Sequence, residues 1–525
     1  MAERNFIAEI PIGVDGLTGT KNLGGTTPGQ LIRALNVTYE NGTLQKEAGA
    51  AKYNTSAISG APHVLAGWDW RPTASVKRMV VVTSDGKMLK DDGSGAFGTT
   101  LASGLSMTVN DVPVIVEGGK EAAAQNRKLF IFTPGNQVKI LSGDGATVAS
   151  ISAPPADWGS NFPIGGFNYQ GRLWGYGNPN DPHRLYASLT TNHEDFTTTP
   201  LTFAVFPGEG DRIACAIPYK GLVVIWKYPT GIYYIDARDP STANWTVQKA
   251  SSALGTTGPM SAVVVDDDIL FPDASGNFHL LSFALETGNL GGQSLTQQAN
   301  LDVFIRDTFN LSRLQQVRGL YYPAKRQAHF AMARSGQTIN DGRLVVDFTR
   351  PDLPRFRFSD RDICQSLWLR MDTNNVPRPI SGDNAGFVWQ MDNETRSKDG
   401  QAYTAQFQSA HTDFSYTDPS LGTRRKNGAF LECVMTAKGD WDLSCDIVWD
   451  GTVKHTVIFN MGVTGASLGS FTLGTDVIGG EQILNKRRKI WGSGRRFSII
   501  GRQAGAGQDF SLSKFYFHGT VGDQR

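Results

Sequence analysis

The stretch LVVIWKYPTGIYYID, residues 222 to 236, sets two apolar runs on either side of a Tyr-Pro-Thr-Gly break, and neither run alternates with polar residues. A hairpin apolar on both faces cannot stand alone in water, so other parts of the chain must cover both sides. The arrangement recurs in VVVTSDGKML at Asp85, LFIFTPGNQVKIL at Gly135, RLWGYGNPNDPHRLYAS at Pro179, DILFPDASGNFHLL at Ser275, AHFAMARSGQTINDGRLVVDF at Ile339 and RPISGDNAGFVWQM at Asp383. With Thr230 marking the opening hairpin, successive turns lie 50, 44, 51, 45, 64 and 44 residues apart. Each break is rich in Gly, Pro, Asn, Asp or Ser, which supply positive φ, a fixed φ or a local side-chain hydrogen bond. Doubly covered strand pairs at this period are the mark of propeller blades, each packed face to face on its neighbours. The expected fold is all-β: a β-propeller of six to eight blades over residues 61–400, with a sandwich or barrel carrying similar turns as the competing arrangement.

Two irregularities refine this reading. Asn41-Gly42, in LNVTYENGTLQKEAG, precedes Asp85 by 43 residues and marks either another repeat or a strand lent to close the ring; residues 1–60 are expected to form an extended arm and this opening hairpin. The one long interval holds LDVFIRDTFNLSRLQQVRGLYYP, where apolar residues at 301, 304, 305 and 309 predict a short helical insertion near 300–318.

A different pattern begins after about residue 400, and residues 401–525 are expected to form a β-sandwich. In FLECVMTAKGDWDLSCDIVWDG, Leu431, Cys433 and Met435 fall on one face, and Trp441, Leu443, Cys445, Ile447 and Trp449 on one face of the next strand. Such alternation signals burial on one side only. Cys433 and Cys445 could face each other across the Lys438-Gly439 turn, and packing is the expected role. Cys215, Cys364, Cys433 and Cys445 are too scattered for a disulfide framework or a CxxC metal site, so reduced, buried thiols are expected.

The formal net charge of the 525 residues is +1, which excludes a global electrostatic argument for nucleic acid or membrane. The charge is unevenly spread. From residue 421 onward, 14 Lys and Arg face 9 Asp and Glu, a net of +5, leaving −4 for the rest. The runs Arg424, Arg425, Lys426 and Lys486, Arg487, Arg488, Lys489, with Arg495 and Arg496, supply the excess. They form a solvated face, or meet carboxylates on a neighbouring subunit, or meet DNA. The opening MAERNFIAEIPIGVDG lacks the apolar core of a secretory signal, and no stretch approaches a membrane span, so synthesis in a cytoplasm without a membrane anchor is expected.

Enzyme signatures are few. There is no phosphate loop, no HExxH, and the eight histidines show no metal-ligand spacing, so no cofactor, metal or catalytic residue is assigned. Gly465-Ala466-Ser467-Leu468-Gly469 matches GxSxG without the helix a nucleophile elbow needs after it. The stretch from Ser381 to Trp389, SGDNAGFVW, resembles the Asp box of sialidase-type propellers, with one extra residue before the glycine and valine in place of threonine. That box stabilises a turn. It makes a sialidase-like glycan-hydrolysing or glycan-binding propeller the alternative function, one that needs an arginine cluster, an acid and a tyrosine meeting at the axis.

The order of parts carries a wider resemblance. PGQLIRALNVTYENGTLQKEAGAAKYN, GRLWGYG, DILFPDASGNFHLLS, LYYPAKRQAHFAMARSGQTINDGRLVVDF, RRKNGAFLECVMTAKGDWDLSCDIVWDG and GSGRRFSIIGR together resemble the tail nozzle and head-to-tail hub proteins of short-tailed bacteriophages, across nearly the whole chain. The resemblance implies a structural virion protein of the tail, six copies forming a ring below the portal and adaptor, with spikes or fibres attached and genomic DNA passing non-specifically through the lumen. Nozzle and hub both remain open at this point, and the tip domains of larger nozzles are not expected.

Overall fold

The computed structural model describes residues 4–19, 27–73, 75–119, 127–143, 147–282, 294–350, 352–462 and 483–521. Each of the seven hairpins supplies the second and third strands of a small antiparallel sheet. Four sheets of four strands run through residues 64–102, 114–150, 165–204 and 212–251, and a three-stranded one spans 263–280. The next sector, 318–359, has four strands and continues into a larger sheet, and the last, 366–393, is completed by Gly49–Lys52. These are called blades one to seven below; six are separate sheets and the sixth in order belongs to the larger one.

The ring closes through packing between first strands. Those of blades one and two, two and three, three and four, five and six, six and seven, and seven and one touch. Blades four and five meet through Cys215, Val224 and Trp226 against Ile269 and Phe271. The apolar runs of the sequence are therefore covered on both faces: Val223, Ile225, Tyr233 and Ile235 pack toward blade three, and Val224, Trp226 and Ile232 toward blade five. Gly67 in blade one is required by this closeness, since a Cβ there would sit 2.4 Å from the Trp368 ring of blade seven.

The strand lent to the ring is Gly49–Lys52, paired antiparallel with Val388–Asn393 of blade seven. The Asn41-Gly42 hairpin just before it goes elsewhere: Val37–Glu40 and Thr43–Lys46 join a seven-stranded sheet with Ser511–Val521, Lys426–Thr436 and Ile483–Lys489. Arg4–Pro11 pairs with Ser511–Val521 over its whole length. This sheet faces five strands of a second one, which runs from blade six through Gln30–Leu35, Ala405–Ser409, Phe497–Gln503, Asp442–Trp449 and Thr452–Asn460, ten strands in all. The interior between them is aromatic, with Phe517 4.8 Å from Phe497 and Phe515 6.0 Å from Phe459. Propeller and sandwich thus share one continuous sheet.

The strands containing Cys433 and Cys445 are not neighbours in one sheet. Lys426–Thr436 belongs to the first sandwich sheet and Asp442–Trp449 to the second, because the turn between them carries the chain across the core. Burial alternates along Lys426–Thr436 as expected, but Asp442–Trp449 departs from one-sided burial, with Asp446 and Val448 buried as well as Cys445, Ile447 and Trp449; the apolar faces that carry the two cysteines oppose each other through the core. All four cysteines are free and buried. In the long interval, Asp302–Thr308 is α-helical and Leu311–Gln316 is 3-10 helix, with Leu301, Ile305 and Phe309 buried.

Candidate functional surface: the basic edge of the sandwich

Ile483–Lys489 is the outermost strand of the first sandwich sheet, paired only on its Lys426–Thr436 side among the described residues. Ser493–Gly494 pairs with Lys426 and Asn427, so the sheet brings both basic runs onto one edge. Arg487 lies over the Phe430 ring, 4.0 Å from its centre, and Arg488 Nε donates to the Ile458 carbonyl of the opposite sheet at 2.9 Å. Lys486 Nζ reaches the Gly462 carbonyl at 3.3 Å, and Arg425 donates twice to Ser493 Oγ, at 3.0 and 2.8 Å. Arg424 is half-buried, whereas Arg487, Arg488 and Lys489 are exposed.

Lys426 departs from the expectation for its run. It is 0% exposed, and its ammonium donates to the Arg495 carbonyl at 2.7 Å. Burial pulls its pKa down to about 8 against the pull of Asp413 and Asp450. A strand begins at this residue and its alternation turns the side chain inward, so Lys426 cannot meet DNA or a neighbouring subunit.

Apolar groups interleave with the exposed charges. Ile483, Trp491, Ile458 and Val453 are 75, 60, 52 and 48% exposed, and Trp491 stacks on His455 with ring centres 4.2 Å apart. Lysine and arginine along an edge strand keep that edge from recruiting a foreign strand, and this role suffices for the run Lys486 to Lys489 without any ligand.

A second polar cluster lies where propeller and sandwich join, and the sequence reading missed it. Glu47 follows Thr43–Lys46 and precedes the strand lent to blade seven. Its Oε1 accepts from Arg343 Nη2 at 2.6 Å and from Arg357 Nη1 at 2.7 Å, while the Tyr403 hydroxyl donates to its carbonyl. Arg361 pairs with Asp362 beside it at 2.6 Å. All five charged residues are buried. Burial alone would raise the Glu47 pKa, but Arg343, Arg357 and Arg361 together outweigh it and hold the carboxyl well below the usual range. The arginines come from outer strands of blade six and the loop after it, so the cluster does not meet at the axis as a glycosidase site of the sialidase type requires. The cue available in the sequence was RFRFS, where Arg355 and Arg357 alternate with phenylalanines in a strand that has no wet side.

The Asp-box-like turn is built as its resemblance implies, with one departure. Asp383 Oδ1 accepts from the backbone of Ala385 and Phe387, both at 2.8 Å, and its Oδ2 from Trp389 Nε1 at 2.9 Å. Ser381 does not bond the turn; it is buried beside Cys364. Two unrecognised copies share the geometry. Asp273 accepts from Ser275 and Asn277 and meets His279 at 3.0 Å, and Asp372 accepts from Asn374, Val376 and Arg378. The device is a backbone one, indifferent to which nitrogen-bearing side chain comes six residues on, so it marks blade turns. The GxSxG stretch lies outside the described residues. Among those residues, no group of three or more His, Cys, Asp or Glu side chains is placed to hold a metal, and no helix is long and apolar enough to cross a membrane.

No protein-family model and no curated protein matches this chain. Among solved structures, the computationally designed Ika8 protein is similar over 64% of this chain and 98% of its own, at 13% identity and a TM-score of 0.36. That likeness carries no argument, and the propeller rests on the sheet topology.

Proposed function

We propose that this propeller is a structural virion protein, forming with copies of itself a ring-shaped nozzle or hub segment in the tail of a short-tailed bacteriophage. In this reading the ring, expected to be hexameric, docks on the adaptor and portal, anchors spikes or fibres, and conducts and retains genomic DNA. The supporting observation is the sheet shared by propeller and sandwich. It fixes a basic edge at one end of a body that is otherwise net negative, which is the polarity a head-to-tail interface needs in order to close on itself. Arg487, Arg488 and Lys489 would meet carboxylates of the next copy. Near-zero net charge suits a conduit that must not grip its cargo, so non-specific DNA affinity no tighter than about 10⁻⁴ to 10⁻⁶ M is expected at physiological salt.

Native mass spectrometry and sedimentation of the purified chain, alone and mixed with its adaptor, test the proposal. A closed oligomer that dissociates on Arg487→Glu with Lys489→Glu is the expected result. A chain that stays monomeric beside the adaptor overturns it.

A further inference from the structure

The middle of the propeller is not filled. A cavity of about 470 Å³ opens along the axis between the first strands of blades six, seven, one and two. Its walls are apolar, formed by Leu65, Trp68, Ile115, Leu367 and Leu369, and this volume lies in the range that holds small organic ligands. Two charged pairs lie at its rim: Asp69 with Arg71 at 2.9 Å, and Glu117 with Arg127. Their signs cancel, so the rim neither repels nor attracts an anion.

Arg318 also lines this cavity, and its state is unusual. It is 2% exposed and forms no ion pair among the described residues. Its guanidinium donates from Nη2 to the Asp111 carbonyl at 2.8 Å, while Nε has no acceptor. The Asp111 carboxylate is turned away, accepting from the backbone and hydroxyl of Thr108 at 2.6 and 3.0 Å. Burial depresses the Arg318 pKa to about 9 even with that carboxylate near. A second lining residue, Trp368, is 5% exposed and carries an indole N–H that also lacks an acceptor. Buried cations are ordinarily neutralised and buried donors bonded. The contrast with Arg343 and Arg357, which share Glu47, shows that the fold can supply a counter-ion where none is left to a ligand.

We propose that the axial cavity binds a small amphiphile, its single carboxylate at Arg318 and its apolar tail along the walls of blades seven, one and two. The charge selects the head group and the apolar walls select the tail; a bare inorganic anion satisfies only the first. The site is separate from the basic edge and does not depend on the tail assignment.

The test is titration of the intact chain with decanoate below its micellar concentration, followed by calorimetry and by quenching of tryptophan fluorescence, with decanol and sodium chloride as comparators. Saturable binding of decanoate at one site per chain is expected, with decanol at least about ten-fold weaker, the scale of losing a hydrogen bond to a charged partner. Arg318→Met should remove that preference, and Leu369→Trp, which fills the cavity and leaves the guanidinium in place, should weaken both ligands. If Arg318→Met does not fold, the comparison of decanoate with decanol on the wild type and on Leu369→Trp decides. Absence of saturable decanoate binding, equal affinity for decanol, or binding undiminished in Leu369→Trp overturns the proposal.

Discussion

The blades and the sandwich both bury apolar cores but are assembled in opposite ways. A blade is local: its strands follow one another in the chain, turn by turn, and only blades six and seven borrow or share anything. The sandwich is remote: Arg4–Pro11 pairs with Ser511–Val521, and Thr43–Lys46 lies beside the latter strand. Local contacts make an element legible and fast to form, while remote ones carry a loop-closure cost before any contact is made. The price of the remote arrangement falls on the one segment, residues 43–52, that belongs first to the sandwich and then to blade seven, and Glu47 sits at its centre.

Replacing that carboxylate is therefore expected to have the largest effect. Glu47→Gln keeps the shape but leaves Arg343 and Arg357 buried without a counter-ion, which costs about 3–5 kcal/mol. Denaturant unfolding followed by probes in both parts would read it. If the shared sheet couples the two, a single transition moves to lower denaturant; two separate transitions would break the comparison by showing that the sandwich stands independently of the ring.

Acid should act on the same junction, somewhat less steeply. His329 is held well below its usual 6.5 by burial, with Arg343 and Arg357 adding to the effect. Below pH 6.5 the unfolded chain takes up a proton there and the folded chain does not, so stability falls as pH drops. Glu47 has the same sign: its carboxyl is depressed from 4.5, so the unfolded state gains a further proton below that pH. Melting temperature is expected to fall gently from pH 8 to 7, because Lys46, Lys227 and Lys426, lowered to about 8 by burial, are still partly deprotonated in the folded chain there, to decline further below 6.5 and to decline faster below 4.5. Each group contributes at most about 1.4 kcal/mol per pH unit. His63, His183, His411 and His455 are also depressed, burial being the largest cause in each, so His329→Gln should flatten the first decline without abolishing it.

The same contrast explains what the sequence disclosed. All seven hairpins were legible because both signals, the apolar run and the turn residue, lie within about fifteen residues of each other. The lent strand, GAAK, has no apolar signature and takes its identity from Val388–Asn393, more than three hundred residues away. The pattern of Phe6, Ala8 and Ile10 was present in the opening arm, but nothing nearby could say what it covers; its partner strand is at the far end. Charges misled for another reason. Lysine is so seldom buried that Lys426 is grouped with the exposed run beside it unless the strand register is known.

Asp383→Ala probes the local side of the comparison. It removes two backbone hydrogen bonds and the one from Trp389, and should cost about 1–3 kcal/mol. Asp273→Ala should behave alike, since its turn is built the same way. Hydrogen exchange would show the loss confined to the blade concerned. Spread of the loss into the sandwich would mean that blades are less independent than their contiguity implies.

The smallest effect on stability is expected at the sandwich edge, and there the two roles considered for the basic run separate. Arg487→Val with Lys489→Val should change unfolding free energy by no more than about 1 kcal/mol, because both side chains are exposed and only the contact of Arg487 with the Phe430 ring is lost. It would nevertheless remove two charges from a strand that already exposes Ile483 and, among the described residues, is paired on one side only. If the charges guard the edge, light scattering will show concentration-dependent aggregation of the double variant at unchanged melting temperature. If they instead pair with carboxylates of a neighbouring copy, the variant will stay dispersed and lose the closed oligomer, and charge reversal on the acidic partner will not restore it unless the edge charges are reversed as well. Blade edges are short, four or five residues in blades one, three and four, and need no such guard, so equivalent substitutions at Lys249 in the outer strand of blade four should do neither.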